Sequence, residues 1–193
     1  MKVSLWVAGA LFASVCSAGT VAVDSVTASS TYFSYNVDNL INGSGLSGGL
    51  HDNDWHHMWL TNGTVTGWLI FDLGSVTSLS STDVWNYNAS CCGLDRGVQD
   101  LSISTSTNGV DYNAFGAFTL TEGTGGWIPA DVIDLGGVSA RYVEFFLNSN
   151  YGNSDFTGLS AVQFEGGSVP EPASGTLLLV GVASLVTYAR RRR

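Results

Sequence analysis

Between His51 and Trp59 the chain reads His51-Asp52-Asn53-Asp54-Trp55-His56-His57-Met58-Trp59, which sets all three of its imidazoles beside two carboxylates and two indoles. Imidazoles and carboxylates are metal ligands. The spacing, however, matches no zinc pattern such as HExxH, so no metal is expected here. The same residue types suit a sugar. A pyranose lays its C–H face on an aromatic ring, and its hydroxyls take polar partners such as His, Asp and Asn. His51, Asp52, Asp54, Trp55, His56, His57 and Trp59 are therefore candidate sugar contacts. The competing reading has them hydrogen-bonding within a long loop while Trp55 or Trp59 covers the core. Trp127 and Tyr151 are two further aromatic platforms in loop-like sequence. Arg96, in Gly93-Leu94-Asp95-Arg96-Gly97, is either a clamp on a ligand or a partner of Asp95 or Asp100, and the pairing is the expectation. No catalytic residues stand out. Gly45-Leu46-Ser47-Gly48-Gly49 fits G-x-S-x-G, but it lacks the preceding strand and following helix that such an elbow needs.

These residues need a scaffold, and the sequence describes one built from strands. Helical periodicity is nearly absent between residues 19 and 168. Short β-branched and aromatic runs recur instead, separated by Gly, Asn, Asp and Ser. The runs place strands near Val21–Ala28, Gly67–Asp72, Thr82–Tyr87, Gln99–Thr105, Ala114–Leu120, Asp131–Asp134, Arg141–Leu147 and Ser160–Glu165. Asn108-Gly109 and Gly136-Gly137 are turn signals between runs. Trp68, Phe71, Trp85, Tyr142, Phe145, Phe146 and Phe164 lie in the strand-like runs and are expected in the core. Residues 36–65 carry no convincing strand, and a loop of that length is usually functional or packed on itself. Eight strands at this spacing argue for an all-β sandwich or barrel.

Both ends read as targeting segments. Met1-Lys2, the apolar stretch Leu5 to Val15 and Cys16-Ser17-Ala18 form a secretory signal peptide over residues 1–18. The far end reads Val169-Pro170-Glu171-Pro172, an apolar run over 173–189 and Arg190 to Arg193. As a helix that run spans about 26 Å, enough to cross a thin hydrocarbon core, and the arginines would hold its end on the cytoplasmic side. Residues 19–168 then form one domain. It holds two arginines against fifteen carboxylates and no lysine, a formal net charge of −13. Such a surface repels phosphate backbones, so nucleic acid is excluded as a partner. After cleavage only the neighbours Cys91 and Cys92 remain. The choices are a vicinal disulfide, two free thiols or a bridge between chains, and export permits oxidation. The vicinal bond is the expectation.

Two resemblances follow from these residues. The tail over 169–193, with Val169, Pro170, Glu171 and Pro172 as its sorting motif, resembles the PEP-CTERM tail of exported bacterial proteins. That resemblance implies processing by an exosortase after export, with transient anchoring in the membrane through residues 173–189. The series TASST (27–31), NLING (39–43), GWLIFDLG (67–74), VWNYN (84–88), ISTSTNGVDYNAFG (103–116), ARYVEFF (140–146) and GLSAVQFEG (158–166) resembles a discoidin, or F5/8 type C, domain of galactose-binding-like fold. The resemblance implies an eight-stranded antiparallel jelly-roll sandwich with its ligand site on the loops at one end. Many relatives hold calcium in the loop matching Asn39 to Gly43, which makes Leu40 and Asn42 its candidates here. Asn42 stands where the family has an aspartate, and Ala161 where it has a glutamate. Calcium favours several anionic oxygens, so no cofactor is expected. The functional expectation is an exported surface or matrix protein that is not an enzyme and binds an extracellular polysaccharide or other glycan. The alternative is a structural or adhesive biofilm matrix protein without a small-ligand site, and a glycoside hydrolase comes last.

Overall fold

In a computed structural model, the described residues are 19–168. The signal peptide over 1–18 and the sorting tail over 169–193 lie outside the described residues. Eleven strands follow in order: β1 (Gly19–Val21), β2 (Ser25–Ala28), β3 (Leu46–Ser47), β4 (Leu50–His51), β5 (Trp59–Leu60), β6 (Gly67–Asn86), β7 (Asp100–Ser106), β8 (Asn113–Thr119), β9 (Ile128–Pro129), β10 (Asp131–Leu147) and β11 (Gly158–Ser168). Eight of them join in one antiparallel network, and β3, β4 and β9 form a small separate sheet.

Two strands much longer than the sequence suggested explain how one network makes a sandwich. β6 unites the runs expected at Gly67–Asp72 and Thr82–Tyr87, and β10 unites those at Asp131–Asp134 and Arg141–Leu147. The first part of β6, through Asp72, pairs with Tyr142–Leu147 of β10 and with β2. That part of β10 pairs onward with β7, and β7 with β8. From Thr77 onward, β6 pairs instead with Asp131–Ala140 of β10 and with β11, which carries β1 and β5 on its far side. Each long strand thus serves both layers. The turn signal Gly136-Gly137 lies inside β10, at the register shift between Asp134 and Val138, with φ of 60° and 78°. Only residues without a side chain take such angles readily, so the signal marks a bend in a strand rather than its end.

The core lies between the layers. Phe71, Phe145 and Phe164 are fully buried and meet edge to face at centroid distances of 5.1, 5.4 and 6.3 Å. Strand alternation corrects part of the expected core. Phe145 points inward, so its neighbour Phe146 points outward and is 40% exposed; Trp68 and Tyr142 also sit half-buried on the outer face.

The segment over 36–65 does contain strands: β3, β4 and β5, each of two residues, with 3-10 turns at Val37–Leu40 and Trp55–His57. Gly48 and Gly49 close the β3–β4 hairpin with φ of 57° and 79°. The G-x-S-x-G stretch is therefore a hairpin rather than a nucleophile elbow. These elements lack side-chain alternation because they are too short to show it.

Candidate functional site

At one end of the sandwich a second hydrophobic cluster of Tyr35, Met58, Leu60, Tyr87 and Ala89 adjoins the half-buried Tyr32, Trp55, Cys92 and Phe156. Its outer side is a cleft of about 660 Å³, walled by Tyr32, Phe33, Tyr35, Trp55, the Cys91–Cys92 pair, Arg96 and Phe156.

Three loops build it. In the first, the Tyr32 amide donates to Leu60 O at 3.0 Å and the Tyr35 amide to Tyr32 O at 2.9 Å, making a tight turn. Phe33 at its tip is 88% exposed with φ of +36°. A bulky residue there is a backbone outlier, and strain of this kind, about 1–3 kcal/mol, collects at ligand clamps. We expect Phe33→Gly to leave the melting temperature unchanged or higher while weakening binding of whatever the cleft holds. A fall in melting temperature would show that Phe33 serves the fold.

The second loop is the histidine and carboxylate cluster. Asp54 Oδ1 caps the turn Trp55–His57 by accepting from the His56 amide at 3.0 Å, and it lies 2.7 Å from His56 Nδ1. These contacts, the amide bond first, hold the Asp54 carboxyl below the usual carboxylate range. Asp52 Oδ2 lies 2.8 Å from His57 Nδ1, and Asp52 Oδ1 accepts from the Asp54 amide at 3.1 Å. The His56 ring stacks on Trp55 at 3.7 Å, and Trp55 packs against Tyr35 at 5.2 Å. The cluster orients one indole. Of its candidate sugar contacts, Trp55 alone lines the cleft.

His51, expected as a contact, is fully buried, with Nδ1 3.0 Å from Asp52 O and Nε2 unpartnered. Burial pushes its pKa below the ordinary 6.5, against the opposing pull of Asp52. As pH falls below about 6.5, the unfolded chain takes up a proton that the folded chain refuses, so stability is lost with acidification. The loss is at most about 1.4 kcal/mol per pH unit for one proton. Melting curves between pH 7.5 and 5 should show it, and His51→Gln should flatten that slope. An unchanged slope in the variant would assign the effect elsewhere.

In the third loop Cys91 and Cys92 are joined by a disulfide, with their Cα atoms 3.8 Å apart and no cis peptide in the domain. Gly93 follows with φ of 98°, an angle that residues with a side chain rarely adopt. The next turn, Leu94–Arg96, brings Arg96 back over the cleft with its Cζ 4.9 Å from the Phe156 ring centroid. The Asp95 carboxylate accepts from Asn153 Nδ2 at 3.2 Å, and the Asn153 amide donates to Asp95 O at 3.3 Å, fastening the loop that carries Phe156.

Several expectations are corrected. Trp59 is no platform: it is fully buried in the main core, and its Nε1 donates to Thr31 Oγ1 at 3.0 Å. Tyr151 is half-buried and spends its hydroxyl on the Leu120 carbonyl, away from the cleft. Trp127 is 57% exposed but does not line the cleft. Among the described residues Arg96 does not pair with Asp95 or Asp100: the turn Leu94–Arg96 carries its guanidinium over Phe156, while Asp95 accepts from Asn153, and Asp100 from Ser149 at 2.6 Å and Thr119 at 3.4 Å. At the loop that the resemblance offers for calcium, where none is expected, Asn42 Oδ1 accepts from the Ser44 amide at 2.8 Å, Leu40 is buried in the core, and Ala161 packs beside Trp85. The side chains at those positions supply no carboxylate, the oxygen that calcium favours. Among the described residues no group of three or more His, Cys, Asp or Glu is placed to hold a metal.

Sequence reasoning missed Tyr32, Phe33, Tyr35 and Phe156. The signal was available in Thr31-Tyr32-Phe33-Ser34-Tyr35, three aromatic residues in a polar stretch with no strand pattern.

Comparison with known proteins bears on the family and the fold. Residues 49–145 match the profile of the NedA-like, galactose-binding domain, and residues 168–193 match the PEP-CTERM protein-sorting motif. No curated protein sequence matches the chain. Among solved structures, the family 32 carbohydrate-binding module of C. perfringens NanJ in complex with galactose superposes with a TM-score of 0.59 at 15% identity, covering 77% of this chain and 98% of that one. The lectin domain of lectinolysin, complexed with Lewis B antigen, gives 0.55 at 16% identity over 72% and 90%. The family 32 module of AlyQ, in complex with 4,5-unsaturated mannuronic acid, gives 0.53 at 20% identity over 76% and 97%. At these identities the likeness is one of fold.

Proposed function

Because this chain belongs to the NedA-like, galactose-binding domain family, we propose that it is an exported carbohydrate-binding protein whose site is the cleft of Tyr32, Tyr35, Trp55, Cys91–Cys92, Arg96 and Phe156. The observation that carries this reading is the make-up of the cleft. Aromatic rings and a disulfide line a concavity of about 660 Å³, which has room for one or two sugar rings, and a single guanidinium supplies donors. Pyranose C–H faces stack on such rings. The vicinal disulfide adds a stiff apolar knob on the same wall.

The reading is one of binding without catalysis. Glycoside hydrolysis takes a pair of carboxyl groups flanking the scissile bond, and the residues that line the cleft include neither Asp nor Glu. The PEP-CTERM motif indicates export and sorting to the cell surface. Processing by an exosortase, passing anchorage through residues 173–189 and a glycan of the extracellular matrix as ligand complete the proposal.

A glycan array probed with the exported protein tests it, followed by calorimetry on the hits. We expect binding that Trp55→Ala weakens at least 10-fold. Absence of binding to any glycan by a folded protein would favour the structural, adhesive reading.

A further inference from the structure

The domain has two arginines and fifteen carboxylates, and it treats the two cations in opposite ways. Arg141 is paired conventionally: its Nε donates to Asp72 Oδ1 at 2.9 Å and its Nη2 to Asp72 Oδ2 at 3.0 Å. Among the described residues Arg96 is near no carboxylate at ion-pair distance, although Asp95 is its chain neighbour. Among the described residues its buried Nε has no hydrogen-bond partner, so a ligand would meet the Nη groups, and the guanidinium lies beside the Tyr87 hydroxyl. Leaving a charged donor desolvated and unpartnered is costly. In a domain so rich in acids, that arrangement needs a reason.

The surroundings of Arg96 give one. The Phe156 ring lies beneath the guanidinium at 4.9 Å. This attraction requires no proton acceptor and holds the guanidinium plane in place. The Tyr87 hydroxyl lies close by. Its pKa is pushed up by burial and by Tyr35, and the nearness of Arg96 opposes that push. The remaining lining residues are Tyr32, Phe33, Ser34, Tyr35, Trp55 and the disulfide, none of them anionic. The lining of the cleft thus carries one cation, aromatic walls and no carboxylate, on a domain of net charge −13.

From this geometry we propose that the cleft selects acidic sugars of the uronate class, with Arg96 receiving the ring carboxylate. The inference rests on the carbohydrate-binding reading above and names the class of sugar. A planar guanidinium matches a carboxylate through two parallel hydrogen bonds, and charge-assisted bonds are roughly twice as strong as neutral ones. A uronate carries its single charge on the edge of an otherwise neutral pyranose, whose C–H face is free to stack on Trp55 or the disulfide. A densely sulfated or phosphorylated chain brings many charges for one guanidinium and meets the repulsion of the acidic surface within a Debye length of about 8 Å.

The test compares matched sugars by calorimetry on the exported protein: galacturonate against galactose, glucuronate against glucose, and each uronate against its methyl ester. The ester keeps the ring and removes the charge. The expected result is a preference of 10-fold or more for at least one free uronate over both its neutral parent and its ester. Arg96→Gln should abolish that preference, bringing the acid down to the level of the neutral sugar, and Arg96→Lys should restore it only in part. Equal or tighter binding of the neutral sugars by the unaltered protein overturns this inference and leaves the carbohydrate reading intact. Binding of no sugar by a protein with an intact melting transition overturns both. Should Arg96→Gln fail to fold, the ester comparison on the unaltered protein still decides the matter. A preference for sulfated over carboxylated sugars overturns the uronate assignment.

Discussion

Replacing Trp59 by alanine should lower stability by about 3–5 kcal/mol, the range for deleting a fully buried indole. For a domain of this size that is a fall in melting temperature of roughly 6–20 °C. The side chain is completely enclosed in the main core, its residue stands in register with Leu159 of β11, and its Nε1 donates to Thr31 Oγ1 at 3.0 Å. Both its apolar surface and its one polar atom are therefore satisfied internally. Trp55, four positions earlier, should behave in the opposite way. Its indole is half-buried on the cleft wall, so Trp55→Ala should shift the melting temperature by only a few degrees and remove most glycan binding. Differential scanning calorimetry and glycan titration on both variants check the pair. Should Trp59→Ala melt like the parent protein and lose binding, the assignment of core and wall would be reversed.

The second large effect concerns Asn86. This side chain is 1% exposed and uses its full hydrogen-bonding capacity. Its Nδ2 donates to Val98 O and Thr121 O, each at 2.8 Å. Its Oδ1 accepts from the Val98 amide at 2.8 Å and the Tyr87 amide at 2.9 Å. It therefore ties the end of β6 to the segments on either side of β7 and β8, where the chain leaves and returns near the cleft. Asn86→Ala would leave two carbonyls and two amides without partners, each unmet group costing about 1–3 kcal/mol when it stays dry. We expect a loss of at least about 3 kcal/mol. Asn86→Asp should do no better, since it turns an acceptor toward two carbonyls. Urea titrations of the three proteins provide the measurement, and a loss under about 1 kcal/mol for Asn86→Ala would mean that water replaces the amide. Asn88, fully buried two residues later, makes comparable bonds to Asp52 O at 2.9 Å and to the amides of Thr124 and Gly125 at 3.0 and 2.8 Å. The two asparagines hold the loops that present Trp55 and the disulfide.

What the sequence alone determined is what depends on local composition and pattern. The β-branched runs set the all-β class, since alternation with period two needs no knowledge of the partner strand. The charge inventory is additive, so the acidic balance of the domain could be read directly. The adjacency of Cys91 and Cys92 already limited their pairing to a few choices. The tertiary structure decided everything that depends on which face or which loop meets which. Trp55 and Trp59 are four residues apart in one apparent loop, yet one lines the cleft and the other fills the core, because the turn Trp55–His57 and the two-residue strand β5 rotate them to opposite sides. Tyr32, Cys92, Arg96 and Phe156 are separated by as many as 124 positions in the chain, and only folding brings them to one wall. The Arg96 guanidinium lies beside Asp95 in sequence but over Phe156 in space. The reason is physical: the turn Leu94–Arg96 points the two side chains apart, Asp95 toward Asn153 of a distant loop and Arg96 toward Phe156, and neighbours in a chain do not interact unless the backbone turns their side chains together.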